Sequence, residues 1–587
     1  MNFIAQKFGG LKYIYYLCTV NLNPKQTNKY NKESMKINSL LIYILAAISS
    51  VCFGQTQPLE FAPTLAGNYG ELRPNHFHAG LDFKTQQTIG HPVHSFADGY
   101  VERVGINALG YGLVVYITHP QIERMTVYGH LSDFGDKIWK KLKERQIAEE
   151  LNNADVTFAP DEIPVKAGEV FAKSGNTGSS GGPHVHFEVR GLMSAPDADD
   201  EKWYDPMPYF EGKIKDTTAP KILNLYIYEQ PNTAFTSHRQ ILNRTTNAWG
   251  KVAFALRTYD YMDGQTNKYG VKRLKLFCDD KLIYNWNQEY FQYHEQRFTN
   301  SVIDYEEWIT NKAMIMKSYI EPNNHLNMID HTIGDGTIEI DEERSYKLRY
   351  ELEDAHGNKT SLSFVVNGVK QEAKAQATKG MLAKADKDFR IDSLGCILTI
   401  PKGNLYTDAD IEFKVDSINS TRNLTPVYRI GRSTIPLHGY CELKITLPDS
   451  ITSGENLYVA NLEGGTHKIE LLGSYTIPFG NTILSPLAKV KVREFGSYVV
   501  RRDTIGPEIT IVGKPNLNTI TLRIIDAESG TKGWKVYVDG KFVPFDKDNR
   551  GRIIGNPSRY GIPAGRHTVE IEAYDLVGNK SFKTLKI

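Results

Sequence analysis

Short runs in which apolar and polar positions alternate, separated by glycine-rich turns, recur along most of the chain. Alternation with period two places one set of side chains on each face of a pleated strand, so the pattern predicts β-structure. Tyr111–His119 (YGLVVYITH) and Met125–Leu131 (MTVYGHL) are two such runs within an antiparallel β domain from about Ala62 to Arg190. One stretch departs from it. From Asp133 to about Asn152 proline is absent, glycine occurs only at the start, and Phe134, Ile138, Leu142 and Ile147 fall near helical spacing. This predicts a helical insertion, either a packed surface helix or one wall of a groove.

Beyond residue 215 the chain repeats itself. DTTAPKI at Asp216–Ile222 matches DTIGPEI at Asp503–Ile509; Leu256, Arg257 and Asp260 match Leu522, Arg523 and Asp526; DAHGNKTS from Asp354 matches DLVGNKS from Asp575. Each copy begins at a proline-bearing linker, runs through alternating strands and closes at a Gly-Asn turn, the pattern of a small β-sandwich. The first copy carries an insertion at roughly 285–335, rich in Tyr, Phe and Asn. Between the copies, LTIPKGNLY and REFGSYVV mark a further β-rich stretch. The expected fold is therefore all-β dominated and multidomain, with an N-terminal antiparallel β domain bearing a helical insertion, followed by about three β-sandwiches.

Length supports several domains, because 587 residues exceed what one core serves. The 69 basic and 68 acidic residues nearly cancel, which removes any overall footprint for nucleic acid or an anionic membrane. From Met35 a lysine, an apolar run at Leu40–Val51 and small residues before Gln55 read as a signal peptide, too short for the roughly 20 residues of a permanent span. Residues 1–34 read as an upstream extension, and cleavage is expected near Gly54. Cys18 and Cys52 precede that point. Cys278, Cys396 and Cys441 remain, too few for a disulfide framework or a cysteine zinc site, although Cys396 could pair with Cys441 in an oxidising compartment.

The chemistry lies in four separated pieces: NHFHAGLD with His78 and Asp82, TVYGHL with His130, SGNTGSSGG from Ser174, and PHVHFEVR with His184 and His186. On a strand, positions 184 and 186 share a face about 6–7 Å apart, so one can ligate a metal while the other stands just beyond it. His78 and Asp82 would lie about 13 Å apart on a straight strand, and Gly80 between them supplies a backbone that can turn. Two imidazoles and a carboxylate with an open fourth position form a catalytic zinc set, whereas structural sites are closed by four ligands, usually including cysteine. The glycine-rich piece is expected to form a tight turn into the HxH strand and lacks the lysine of a phosphate loop. His91, His94 and His119 read as packed or solvent-facing; His76 competes with His78 on geometry.

In order and spacing these pieces resemble the lysostaphin/LytM family of zinc metallopeptidases, over roughly residues 60–200. The resemblance implies one zinc ion held by His78, Asp82 and His186, with His130 and His184 as catalytic, non-ligand histidines, and it decides for His78 over His76. It also implies an endopeptidase that cuts cross-link or stem peptides of peptidoglycan through a zinc-activated water, and the signal segment adds export, to the periplasm or beyond as a secreted protein. The expected organisation is an upstream extension (1–34), a signal peptide (35–54), a zinc peptidase domain (55–215), an immunoglobulin-like domain with insertion (216–370), a β-rich accessory domain (371–500) and a second immunoglobulin-like domain (501–587). Expected partners are peptidoglycan peptides and, through the C-terminal β domains, a candidate protein partner; nucleic acid is not expected, and membrane contact only through the signal segment before cleavage. Competing readings are a non-catalytic wall-binding or regulatory protein with a vestigial zinc site, and an adhesin with an ancillary peptidase.

Overall fold

The computed structural model describes residues 55–192, 201–371, 377–418, 420–472 and 485–587. The signal segment and Cys18 and Cys52 lie outside them. Among the described residues no helix is long and apolar enough to cross a membrane.

The first half is organised by one antiparallel sheet. Its strands are β1 (Leu65–Gly67), β2 (Leu81–Lys84), β3 (Gly99–Ile106), β4 (Leu113–His119), β5 (Arg124–Leu131), β6 (Asp155–Thr157) and β7 (His184–Gly191), in the spatial order β1-β2-β7-β5-β4-β3-β6. Strand β7 lies in the interior, between β2 and β5. Val185, Phe187 and Val189 are fully buried on one of its faces, each contributing about 1.5–3 kcal/mol by transfer from water. The alternate residues, His184, His186, Glu188 and Arg190, share the opposite face, as strand periodicity requires. Strand β8 (Lys202–Tyr204) pairs with the far end of β7, and β9 (Tyr290–Gln292), from the predicted insertion, pairs with β8. The insertion thus extends the edge of the first sheet, and the buried apolar residues from Leu59 to Phe364 form one continuous cluster across position 215.

The chain bends at Gly80, as expected, without a left-handed conformation. Glycine has a second purpose there, since a Cβ would lie 2.1 Å from the Phe187 carbonyl oxygen. The residue is small because β7 passes against its backbone. Gly80→Ala is expected to cost roughly 1–3 kcal/mol through forced displacement of β7, measurable as a lower denaturant midpoint for unfolding of this sheet.

The predicted helix spans Asp136–Ala148, preceded by a short strand at Asp133–Phe134. Its buried stripe is Ile138, Trp139, Leu142 and Gln146, while Ile147 is exposed. The expected pattern erred at both ends. Phe134 lies on the strand, and Gln146, one turn after Leu142, holds the buried place expected for Ile147, its Oε1 accepting a hydrogen bond from the Tyr560 hydroxyl at 2.9 Å. The helix and the turn after it meet the last sandwich: Asn152 Nδ2 donates to the Trp534 carbonyl at 2.6 Å, the Asn153 amide to Asp546 at 2.9 Å, and Arg559 pairs with Asp133 at 2.6 Å.

Residues 221–368 form two five-stranded sheets, residues 389–502 two more, and residues 508–586 two four-stranded sheets. Separate apolar clusters at Ala383–Val500 and Ile509–Ala573 fill the latter two pairs. Cys278, Cys396 and Cys441 are free thiols. Although Cys396 and Cys441 lie on adjacent strands, Cys396 faces Ile445 and Cys441 faces Val492. This offset of four residues, about 13 Å along a strand, rules out the pairing that the sequence allowed.

Candidate metal centre

Strand register builds the centre. His186 on β7 is flanked by Asp82 on β2 and Gly129 on β5. The chain reaches His78 just before β2, and His130 follows Gly129. His78 Nε2 and Asp82 Oδ1 are 3.0 Å apart, His78 Nε2 and His186 Nδ1 3.0 Å, and His186 Nδ1 and Asp82 Oδ1 2.8 Å. All three side chains are buried.

The surrounding hydrogen bonds fix which nitrogen faces inward. His78 Nδ1 donates to the Asn68 carbonyl at 2.6 Å, so Nε2 carries the lone pair. His186 Nε2 donates to Glu188 Oε1 at 2.8 Å, so Nδ1 carries the lone pair. Two imidazole lone pairs and a carboxylate oxygen therefore point at one place, an arrangement that only a cation or a bound proton can stabilise. Four-coordinate zinc with bonds of about 2.0–2.1 Å spaces its ligand atoms about 3.3 Å apart. The observed triangle would need to open by only a few tenths of an ångström. The residues fit zinc.

Burial, aided by Arg73, lowers the His78 pKa to about 4. At His186 burial acts in the same direction, but hydrogen bonds to Asp82 and Glu188 outweigh it and raise the ring to about 9. Without a metal, the proton of this site resides on His186. Asp82 is held well below the ordinary carboxylate range: burial opposes this, but His78, His184 and His186 together prevail. Glu188 falls to about 2 despite burial, chiefly because of Arg190, whose Nη2 lies 2.6 Å from Oε2. Tyr111 donates to Glu188 Oε1 at 2.5 Å, and the Arg190 guanidinium also meets Glu201 at 3.3 Å and lies over the Trp203 ring.

His130 and His184 stand together beside this triangle, with ring centroids 4.6 Å apart. His130 Nδ1 donates to the Thr177 carbonyl at 2.8 Å, and His184 Nδ1 to the Gly182 carbonyl at 2.8 Å. Each ring thus has its Nδ1 committed to a carbonyl, and His184 Nε2 lies 3.5 Å from Asp82 Oδ1. The SGNTGSSGG loop, read from sequence as a turn, thus supplies carbonyl acceptors that orient two imidazoles. His130 has a φ of 59°, a left-handed conformation uncommon for a side-chain-bearing residue and frequent where function demands a fixed direction.

All five predicted residues converge. His76 is exposed and bonds to the Pro74 carbonyl; His91, His94 and His119 bond to Thr88, Gly168 and Thr126, away from the triangle. Sequence reasoning missed Asn68, which acts through its backbone carbonyl and leaves no side-chain signal. It also missed Arg73, whose Nη2 is 3.5 Å from Asp82 Oδ2, and Glu188. Glu188 had a signal, since it continues the alternation of His184 and His186.

Residues 76–149 match peptidase family M23. The chain carries an M23 peptidase domain. Residues 380–503 match a Zu5-like domain. An uncharacterized metalloprotease of Haemophilus influenzae is 40% identical over 119 residues, 20% of this chain and 19% of that protein. The DD-carboxypeptidase/endopeptidase Mpg of Neisseria meningitidis serogroup B is 34% identical over 114 residues, 19% of this chain and 20% of that one. The chain thus spans about a fifth of the length of these curated relatives. Among solved structures, the catalytic domain of the antimicrobial peptidase lysostaphin from Staphylococcus simulans is 25% identical, covering 25% of this chain and 90% of that one, with a TM-score of 0.18. The M23 match includes His78, Asp82 and His130, and the HxH strand that completes the centre lies beyond it.

Proposed function

We propose that this protein is an exported zinc metalloendopeptidase that hydrolyses peptide bonds of bacterial peptidoglycan. The observation that carries the reading is the convergence of His78 Nε2, His186 Nδ1 and Asp82 Oδ1 on one point, with both tautomers set by outer hydrogen bonds. Zinc bound there would polarise the scissile carbonyl and lower the pKa of a water molecule. His130, lowered to about 3 by burial and by His186 and His184, stays neutral and accepts a hydrogen bond at Nε2 to orient the water. His184, the less buried of the pair, takes the proton at Nε2 and returns it to the leaving amine. The Gly182 carbonyl keeps its ring directed throughout.

The M23 domain and the names of its relatives support peptidase chemistry, and the complete residue set argues against a vestigial site. The β domains at 216–370, 371–500 and 501–587 are proposed as accessory units, the first and last immunoglobulin-like, that position the peptidase on the wall. Purified zinc-loaded chain incubated with sacculi should release new muropeptide termini, identified by mass analysis. No release by protein with bound zinc would refute the reading.

Metal uptake carries a pH signature. Below about pH 9 the proton on His186 must leave before Nδ1 can ligate, so zinc binding at pH 7 should release about one proton per chain. Apparent affinity should fall about tenfold per unit as pH drops below 9. Calorimetry in buffers of different ionisation enthalpy measures both.

A further inference from the structure

The recurring landmarks of the two repeat copies meet in space. Asp216, Asp260 and Asp354 each bring a carboxylate oxygen within 4.8 Å of the others, and Asp503, Asp526 and Asp575 do the same at equivalent positions. The local bonding is duplicated as well. Asp216 Oδ1 accepts the Thr218 amide as Asp503 Oδ1 accepts the Ile505 amide. Asn358 Nδ2 bonds both Asp354 and the Asp216 carbonyl, and Asn579 Nδ2 both Asp575 and the Asp503 carbonyl.

Hydrogen bonding does not account for all these oxygens. Asp216 and Asp260 are more than nine-tenths buried, yet Asp216 Oδ2 and Asp260 Oδ1 have no hydrogen-bond partner. His356 Nδ1, the nearest basic atom to Asp216 Oδ2, is 3.9 Å away, beyond hydrogen-bond reach. In the second copy Ser529 donates its amide to Asp503 Oδ2 and holds a buried Oγ, also without a partner. Leaving a buried polar oxygen unsatisfied is costly, and gathering three carboxylates with no cation among them adds repulsion. Burial and the neighbouring Asp354 and Asp216 push Asp260 up to about 7, which reflects the same strain.

We propose that each cluster is a binding site for a calcium-type divalent cation. The donors are oxygens, as a hard cation prefers, and neither candidate set contains imidazole or thiol. Position suggests the role. Asp216 precedes the strand Lys221–Glu229 and follows β8, while Asp503 joins the strands Gly496–Arg502 and Glu508–Asn516. Both lie in linkers, and their partner aspartates come from the sandwich that follows. A cation at each would clamp a linker to its sandwich, fixing the accessory units relative to the catalytic sheet.

The test uses the zinc-loaded full chain titrated with calcium chloride, alongside Asp260→Asn, Asp526→Asn and the double variant. Wild type should bind two calcium ions in the millimolar range or tighter, each single variant one, and the double variant none. Calcium should raise the unfolding midpoint of wild type by about 5 °C or more, and this shift should vanish in the double variant. Because asparagine relieves like-charge repulsion, the variants should fold at least as well as wild type in calcium-free buffer. Failure of wild type to bind calcium up to about 10 mM, well above the range of extracellular calcium modules, would overturn the proposal. Undiminished binding by the variants, or an equal response to magnesium, would do so too.

Discussion

His186→Ala is expected to abolish zinc retention and reduce kcat/KM on peptidoglycan peptides by on the order of 10³-fold or more, since even one transition-state donor is worth 10²–10³. The residue is the centre of the arrangement: Nδ1 faces Asp82 and His78, Nε2 is held by Glu188, and β7 places it across from Asp82. His184, two residues away, is the expected proton carrier, with Nδ1 bonded to the Gly182 carbonyl and Nε2 3.5 Å from Asp82 Oδ1. If His78, Asp82 and His186 are the ligands, His184→Ala should keep zinc and lose activity. Metal analysis and peptide hydrolysis on the two variants separate ligand from proton carrier; zinc loss in His184→Ala, or zinc retention in His186→Ala, would reverse the assignment.

The second large effect is expected at Glu188, which is not itself a metal ligand yet holds one, His186, in place. Its carboxylate joins His186, Tyr111 and Arg190 in one buried network. Glu188→Gln removes the charge that stabilises the His186 Nε2–H bond, and outer-sphere losses of this kind weaken metal binding by about 10–100-fold. It also deprives the buried Arg190 of its principal counter-charge. Breaking a buried pair costs about 3–5 kcal/mol, and the remaining contact with Glu201 places this variant at the lower end, about 3 kcal/mol. Zinc titration and denaturant unfolding of the same variant measure both losses. A variant with unchanged zinc affinity would show that His186 does not need this partner.

Much of this centre was legible because strand periodicity is strict. The spacing of His184 and His186 placed both on one face, and the alternating runs at 111–119 and 125–131 became β4 and β5 with only small changes at their ends. The same rule reached Glu188, but a carboxylate two residues beyond a ligand carries no mark that separates it from a surface residue. Asn68 was out of reach because its contribution is a carbonyl, which every residue possesses. Gly80 was read as a place where the chain turns, and it bends there; that β7 also presses on its backbone was out of reach, because only packing against Phe187 reveals it. Ile147 was counted with the helical stripe, but it lies five residues, about 140° of rotation, from Leu142; Gln146, four residues on, continues the stripe and bonds Tyr560. The repeat landmarks Asp216, Asp260 and Asp354 were visible as sequence identities, but their convergence depends on how two sheets face each other.

The central claim is that His78, Asp82 and His186 hold one zinc ion. Anomalous diffraction from crystals of the zinc-equilibrated protein, collected on both sides of the zinc edge, tests it most directly. The expected map has one strong peak within bonding distance of His78 Nε2, Asp82 Oδ1 and His186 Nδ1, with a fourth position open to solvent. A map with no peak there, or with these three side chains turned apart around bound water, would contradict it.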